Sequence, residues 1–496
     1  MIYPNFLGPS NLNHTPFLDQ ERTVNLILEK AEAAGSSAAW SMYLSPGVTL
    51  LSTDTGFPGR ANYFEPSTQR QFVVQGTRFN EVSILGTITN RGTVASDGNA
   101  ATIVSNGPTG GQLLIVSGGN AYSFTLSTNT FASIALLAGI ATVGASLDGY
   151  GLVSDVTSGR TYFSALNDFT SWDLTDYFAK SKSSDPLVTM RVANGNIYLF
   201  GTATTEVWYN AGEFPVPFVF HPSGLIQYGC VAQYSPEIVG KELRWLSSTV
   251  NGQGSVVKTS GFGIEIVSSM AMQTQIGGYS VISDAIGDAY EMLGHTFHLL
   301  TFPTANVTWC ADIDLPKQLA WTERLTWIAE DAHYVAWRPL YHALAFNEHR
   351  MLDRSTGAIY RLDPTVYTDV PDTLGTARPL RWLRQAPALV NENKRVFYPA
   401  FEVDFEVGLG LTTGQGSDPQ VMMQFSNDNG KTWSSEAWRS AGKRGEYGHR
   451  VVWNRCGSGR RRVFRIAGTD PIPWKLVNAY LPDLEKANPD LGARAA

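Results

Sequence analysis

Residues Ser426–Trp433 read SNDNGKTW, between a strand-like run, Val421–Phe425, and the segments GKRGEYGHRVVW (Gly442–Trp453) and GRRRVFRI (Gly459–Ile466). The pattern Ser-x-Asp-x-Gly-x-x-Trp describes a hairpin turn. Asp428 can bond its own backbone, Gly430 can take positive φ, and Trp433 can pack beneath the loop that Ser426 opens. These four residues are read as structural, and the chain around them as β-strand.

Composition agrees with that reading. At 496 residues the chain suits a large β architecture or two to three domains. Charged residues make up 16% against 43% hydrophobic, which excludes a disordered chain, and 47 glycines and 25 prolines punctuate it with turns. A net charge of −7 argues against a free-standing DNA-binding protein, whose affinity would come from neutralising phosphates. The charge is uneven: Arg439–Lys475 holds ten basic and two acidic residues, so this segment carries +8 and the remainder −15. Cys230, Cys310 and Cys456 lie far apart and in no CxxC spacing, which predicts buried reduced thiols and neither a disulfide framework nor a zinc ribbon. The first fifteen residues lack the basic and apolar regions of a signal peptide, so synthesis in a cytoplasm is expected. Phe131–Leu147 is uncharged, but it contains two glycines and falls short of the ~20 residues a membrane helix needs. It reads as a pair of buried strands, and no stable membrane insertion is expected.

Taken in order, Val24–Ala34 fits a short amphipathic helix, while Arg22–Leu28 fits equally an extended arm leading to the SPGV turn, Ser45–Val48. From Gln71 to Asp363 short apolar or alternating runs such as QLLIVSGGNAYSFTL and NIYLFGTATTEVWYN recur between Gly, Asn, Asp and Ser turns, each reading as one or two strands of a hairpin. Regular spacing of such hairpins fits a sandwich or, favoured at this length, a propeller. Asp155–Tyr162 and Asp353–Tyr360 (DRSTGAIY) supply two further Asp-led turns of the kind found in blade hairpins. Pro364, Pro371 and Pro379 forbid continuous ladder pairing and mark a boundary. The expected fold is all-β: residues 1–60 as an extended N-terminal arm with linking strands, 61–365 as a β-propeller-like body, and 366–496 as an additional C-terminal β module.

SNDNGKTW resembles the Asp-box of sialidase-like β-propellers, but a longer pattern is more specific. EVDFEVGLG (Glu402–Gly410), DPQVMMQFSNDNGKTW, GEYGHRVVWNRCGSGRRRVFRI and TDPIPWKLVNAYL ending at Leu481 resemble the C-terminal region of the packaged-DNA stabilisation, or tail nozzle, proteins of short-tailed bacteriophages. The Arg22–Leu28 arm with its Pro-Gly turn is similar to the same family, as is Phe163–Gly212, where a Trp-Asp turn precedes Phe-Gly-x-x-x-x-Glu-x-Trp. The resemblance implies a structural virion protein of the phage tail, made in the host cytoplasm. It further implies a homohexameric nozzle or hub ring beneath the head-to-tail adaptor, extending the DNA channel and retaining packaged DNA until ejection. Implied partners are the adaptor, tail fibre or spike proteins, a tail plug or needle, and DNA that passes through the lumen without sequence specificity. In such a lumen acidic walls would let phosphate slide.

The rival class is a sialidase-like propeller glycosidase or carbohydrate-binding protein acting on host surface glycans. Such an enzyme needs an arginine cluster and paired protic groups across the sugar, and a central pocket of carboxylates and aromatics to hold them. The sequence shows no GxSxG elbow, P-loop, HExxH or strand-linked GxGxxG. His295 and His298, three apart on a strand, face opposite sides, and Asp312 and Asp314 read as an exposed turn. No catalytic residue, cofactor or metal site is expected. Phe200 and Trp208 are expected to pack on neighbouring blades, with Glu206 satisfied locally. In the Arg-rich run, strand alternation places Arg460, Arg462 and Phe464 on one face and Arg461, Val463 and Arg465 on the other. Arg455, Arg460, Arg462 and Arg465 are expected to contribute to subunit or adaptor contacts, with DNA phosphate in a channel as the alternative.

Overall fold

The computed structural model describes residues 1–15, 19–31, 38–52, 56–248, 254–372 and 375–487. Its architecture follows from the apolar runs. QLLIVS (Gln112–Ser117), NIYLFG (Asn196–Gly201) and ELRWLS (Glu242–Ser247) are buried along both faces after their first residue. A strand apolar on both sides needs another sheet against each face, and sheets arranged radially provide that. Outer strands have no such neighbour and are polar: Thr130–Ser133 is mostly exposed.

The described residues form seven four-stranded antiparallel units, whose first strands are Gly59–Glu65, Thr102–Ser105, Val143–Leu147, Leu187–Ala193, Glu237–Val239, Ile286–Met292 and Pro339–Ala345. Residues from all seven first strands line one central cavity of about 440 Å³, so the units are the blades of a seven-bladed propeller. The seventh blade takes its fourth strand from the N-terminal side: Gly47–Ser52 pairs antiparallel with Ile359–Asp363 and closes the ring. Two fully buried arginines hold the seams beside the closure. Arg60 donates to the carbonyls of Gly76, Ala95 and Asn99 and to Ser117 Oγ, joining the first blade to the second. Arg350 donates to Gln71 Oε1 and to the carbonyls of Ser83 and Ile84, joining the seventh blade to the first.

A β-sandwich follows the propeller. One sheet contains Leu26–Lys30, Trp40–Leu44, Lys475–Tyr480, Ala400–Phe405 and Val451–Asn454; the other contains Gln20–Val24, Trp382–Gln385, Arg461–Gly468, Gln420–Ser426 and Ala437–Ser440. Phe401 from the first sheet stacks on Phe464 from the second at 4.4 Å, amid Trp382, Trp453 and Trp474. Over its described residues the N-terminal arm runs extended and docked. It enters one sandwich sheet at Gln20–Val24, turns at Asn25 with φ 55°, enters the other at Leu26–Lys30, and then reaches the propeller. The helix open to Val24–Ala34 therefore does not form over the described residues, because each half of that stretch is a strand in a different sheet. Asn25 makes the switch by donating to the carbonyls of Leu325 and Arg381. Val24 pairs in parallel with Glu323, the last residue of the sixth blade, so one sheet continues from propeller into sandwich.

Two further readings are corrected. Phe131–Leu147 is not a pair of buried strands: its first part is the exposed outer strand of the second blade, and only Val143–Leu147, an inner strand, is largely buried. Within Gln71–Asp363, read as strands and turns, Met270–Gly277 is a two-turn helix capped by Ser269, whose Oγ accepts from the Met272 amide.

Candidate functional site

The Asp-box-like turn joins Gln420–Ser426 to Ala437–Ser440 in the sandwich, outside the propeller. Asp428 accepts from Ser426 Oγ at 2.6 Å and from the amide and hydroxyl of Thr432, which hold its carboxyl well below the usual range. Gly430 has φ 81°, and its amide donates to Ser426 Oγ at 2.8 Å. A Cβ at Gly430 would meet Gln20 Oε1 at 2.4 Å, so the turn also lies against the N-terminal strand. Trp433 is half-buried beneath Arg465, whose guanidinium sits 3.8 Å from its ring centroid. The other two Asp-led turns occupy equivalent places, between the second and third strands of the third and seventh blades, where Asp155 and Asp353 each accept two backbone amides.

The four arginines separate. Arg455 and Arg460 are exposed, and Arg455 stands in a turn with φ 59°. Arg462 is fully buried: it donates to Asn427 Oδ1 at 2.9 Å and to the Cys456 carbonyl at 2.6 Å and lies over the rings of Phe425 and Tyr398. A side chain so enclosed is not available to a subunit, an adaptor or DNA, so the expectation for Arg462 is corrected. It shares its face with Phe464, and that face is the sandwich core. Arg465 is half-buried, donates twice to Gln424 Oε1, and makes no ion pair among the described residues. Burial and the nearby Arg381 push its pKa down to about 10.

The walls of the propeller cavity mix small and apolar residues, among them Ala100, Ala101, Gly144 and Ala145, with polar ones that include Glu237, Asp288, Tyr234, Tyr341 and His342. Arg191, the one arginine among its described lining residues, pairs with Glu237. Asp288 is buried, accepts from the amides of His342 and Ala289, and has its pKa pushed up to about 8 by desolvation and by Glu237. Glu237 and Asp288 therefore line one cavity and feel each other's charge, Glu237 held by Arg191 and Asp288 by backbone amides.

His295 and His298 do face opposite ways. His295 Nδ1 lies 2.6 Å from Asp312 Oδ2, whereas His298 is fully buried against Trp321 with no hydrogen-bond partner for either nitrogen among the described residues, and burial pushes its pKa down to about 3. Asp312 is buried, which corrects its reading as part of an exposed turn: it is the last residue of the strand Val307–Asp312 and is covered by His295. Phe200 packs edge-on against Trp245 of the fifth blade, and Trp208 against Phe178 of the third. Glu206 accepts from the amides of Lys182 and Ser183.

Sequence reading missed the arginine that ties the N-terminal arm to the sandwich. Arg384, fully buried, donates to the carbonyls of Phe6, Gly8 and Pro9 and to Thr23 Oγ1, and its other nitrogen lies 3.4 Å from Glu21. At the same junction Arg22 forms a bidentate pair with Glu323 at 2.7 and 2.9 Å. The only local signal was an arginine flanked by apolar residues, LRWLRQA, which did not reveal partners more than 350 residues away.

A closed seven-bladed propeller fused through its N-terminal strands to a β-sandwich defines the class: a two-module, all-β structural protein. Residues 10–367 match the family described as bacteriophage P22 Gp10, beta-propeller, and residues 381–481 match bacteriophage P22 Gp10, beta-sandwich. The chain belongs to this packaged-DNA stabilisation family of short-tailed phages and is a phage structural protein. No curated protein sequence matches it. Solved structures of similar form include the N-terminal domain of Nup159 (10% identity, 69% of this chain and 98% of that one, TM-score 0.41). BamB from Moraxella catarrhalis is similar at 10% identity, 68% and 98% coverage and TM-score 0.40. The Nup133 β-propeller domain of Vanderwaltozyma polyspora is similar at 10% identity, 68% and 100% coverage and TM-score 0.39.

Proposed function

We propose that the chain is the nozzle or hub subunit of a short-tailed phage, working in the virion tail as a homohexameric ring beneath the head-to-tail adaptor. In this reading the ring extends the DNA channel, retains packaged DNA until ejection, and carries contacts to tail fibres or spikes and to a plug or needle. The observation that supports it most is membership of the packaged-DNA stabilisation family through both modules. The build of the molecule suits a mechanical part. The N-terminal segment is threaded through both sandwich sheets and closes the propeller, so pulling the modules apart requires stripping strands from two cores. The exposed Arg455 and Arg460 are retained as candidate contacts to a subunit or the adaptor.

The test is a phage lacking this chain. Heads are expected to package DNA and then lose it, so that the DNA becomes nuclease-sensitive while capsid yield is unchanged. Nuclease-resistant, stably filled particles without this chain would refute the retention role.

A further inference from the structure

We infer that the seam between the second and third blades receives the Gly442–Arg450 loop of a second copy of this chain. The inference rests on the ring reading above and names two surfaces that would join neighbouring subunits.

These surfaces stand at opposite ends of the molecule. The sheet that begins on the propeller axis with Ile286–Met292 runs outward through the sixth blade and Gln20–Val24 to Ala437–Ser440, its last strand. Val451–Asn454 is the last strand of the other sandwich sheet, and Arg439 Nε donates to the carbonyl of Val452, so the two edges meet. The Gly442–Arg450 loop joins these two strands at the far edge of the sandwich. In a ring of seven blades, the sixth lies straight across the axis from the seam between the second and third. A head-to-tail ring joins two different patches set apart in this way.

The loop supplies cations and an exposed ring. Lys443 and Arg444 are exposed and form no ion pair among the described residues, while Arg450 pairs with Glu402. Glu446, the one acid in the loop, accepts from the Lys443 amide, and the neighbouring Asp418 accepts from Ser440 Oγ. Tyr447 is 75% exposed.

The seam supplies the complement. Between Arg91 and Arg160 the chain has no lysine, arginine or histidine, and the outer strand of the third blade, Asp168–Ala179, has three aspartates and no base. Ser164 pairs with Trp172 but Tyr162 with Tyr177, so Asp173–Asp176 bulges out of the ladder. Neither Asp173 nor Asp176 forms an ion pair among the described residues, and Arg160, on the adjacent strand, lies over the Tyr177 ring. Beside the bulge a cavity of about 450 Å³ opens between Ala132–Leu136 of the second blade and Thr170–Trp172 of the third. Ile134 and Trp172 give it apolar walls, and Leu136 is 53% exposed at its rim. A tyrosine ring suits that cavity while the two free cations meet the aspartates. Phosphate would be served by the cations alone; an exposed tyrosine among them, and an acidic and apolar seam in the same sequence, favour a protein surface.

The experiment measures ring formation of the full chain by mass photometry, for wild type, Lys443→Glu/Arg444→Glu, Asp173→Lys/Asp176→Lys, and the four changes together. Each two-residue set is expected to weaken assembly about tenfold or more, and the four together to restore it. Lys394→Glu/Lys431→Glu makes the same charge change at exposed sites elsewhere on the sandwich and is expected to assemble like wild type. Asp173 accepts from the Thr175 amide, so if its replacement lowers the melting temperature, the loop variant and Leu136→Arg decide the matter; both are expected to weaken assembly. Wild-type rings with unchanged assembly of the loop variant would overturn the pairing and leave the ring reading standing. Weakening by the loop variant without rescue, and with Leu136→Arg assembling normally, would place the loop against another surface and overturn the pairing. Intact rings of a loop variant that no longer binds duplex DNA would assign the loop to phosphate and overturn it likewise. A wild-type chain that stays monomeric at all concentrations would remove the ring reading and the pairing together.

Discussion

Replacing Arg384 by Met tests how the N-terminal segment is held. The change keeps an apolar stem of similar reach and removes a guanidinium that donates to four backbone carbonyls, those of Asn5, Phe6, Gly8 and Pro9, and to one hydroxyl within a fully buried site. It also leaves Glu21 buried beside nothing positive; even with Arg384 present, burial pushes that carboxyl up to about 7. Breaking a buried pair by removing one partner costs about 3–5 kcal/mol, a range that already includes part of the carbonyl penalty. The cost should depend on pH with a definite sign. Without its arginine, Glu21 titrates higher still, so near pH 5 it is protonated in the fold at little cost, while near pH 8, where the unfolded carboxyl is ionised, folding must also protonate it or bury its charge. Thermal melts should therefore show a larger loss for Arg384→Met at pH 8 than at pH 5, and Glu21→Gln should lessen that difference. Hydrogen exchange supplies the local readout: the amide of Tyr3, bonded to Ala479, and that of Ser10, bonded to Trp321, should lose protection before the propeller does. Unchanged protection at both amides, with melting within about 1 °C of wild type, would refute the claim that Arg384 holds the arm.

Arg462→Glu should cost about 3–5 kcal/mol by burying an unpaired charge, whereas Arg460→Glu, on an exposed side chain, should melt like wild type; equal melting of the two would contradict the placement of Arg462. His298 stays neutral in the fold, with its pKa near 3, while the unfolded chain takes up a proton near 6.5, so stability falls as pH drops through that window, by about 2 kcal/mol at pH 5. His298→Leu should flatten the acid side of a melting profile between pH 4.5 and 7, and an unchanged slope there would count against the reading. Asp288 has the opposite sign: its carboxyl is raised to about 8, so the folded state loses stability as pH rises from about 4 to 8, and Asp288→Asn should melt relatively higher at pH 8 than at pH 5.

How far the structure was legible in the sequence depended on the range of each interaction. Strands such as Gln112–Ser117 and Asn196–Gly201 announced themselves because both their faces are apolar, and the Asp428 turn because its bonds close within six residues. Glu206 draws on a wider range: Trp208 Nε1, two residues on, donates to it, but the amides of Lys182 and Ser183 come from the segment before the fourth blade, more than twenty residues earlier. Asn25 was not legible, because its left-handed turn is paid for by carbonyls 300 and more residues away. In the run GRRRVFRI the expected face of Arg460, Arg462 and Phe464 divides, because the strand begins at Arg461 and leaves Arg460 exposed, while Phe464 takes Arg462 into the core. Asp312 was misjudged because the histidine covering it comes from the neighbouring strand.

The central claim is tested most directly by a cryo-electron microscopy reconstruction of tails from intact particles carrying this chain. The account predicts six copies in a closed ring beneath the adaptor, coaxial with the DNA channel and with DNA density running through the lumen. Density for this chain found only on the capsid, or as separate copies that enclose no channel, would contradict it.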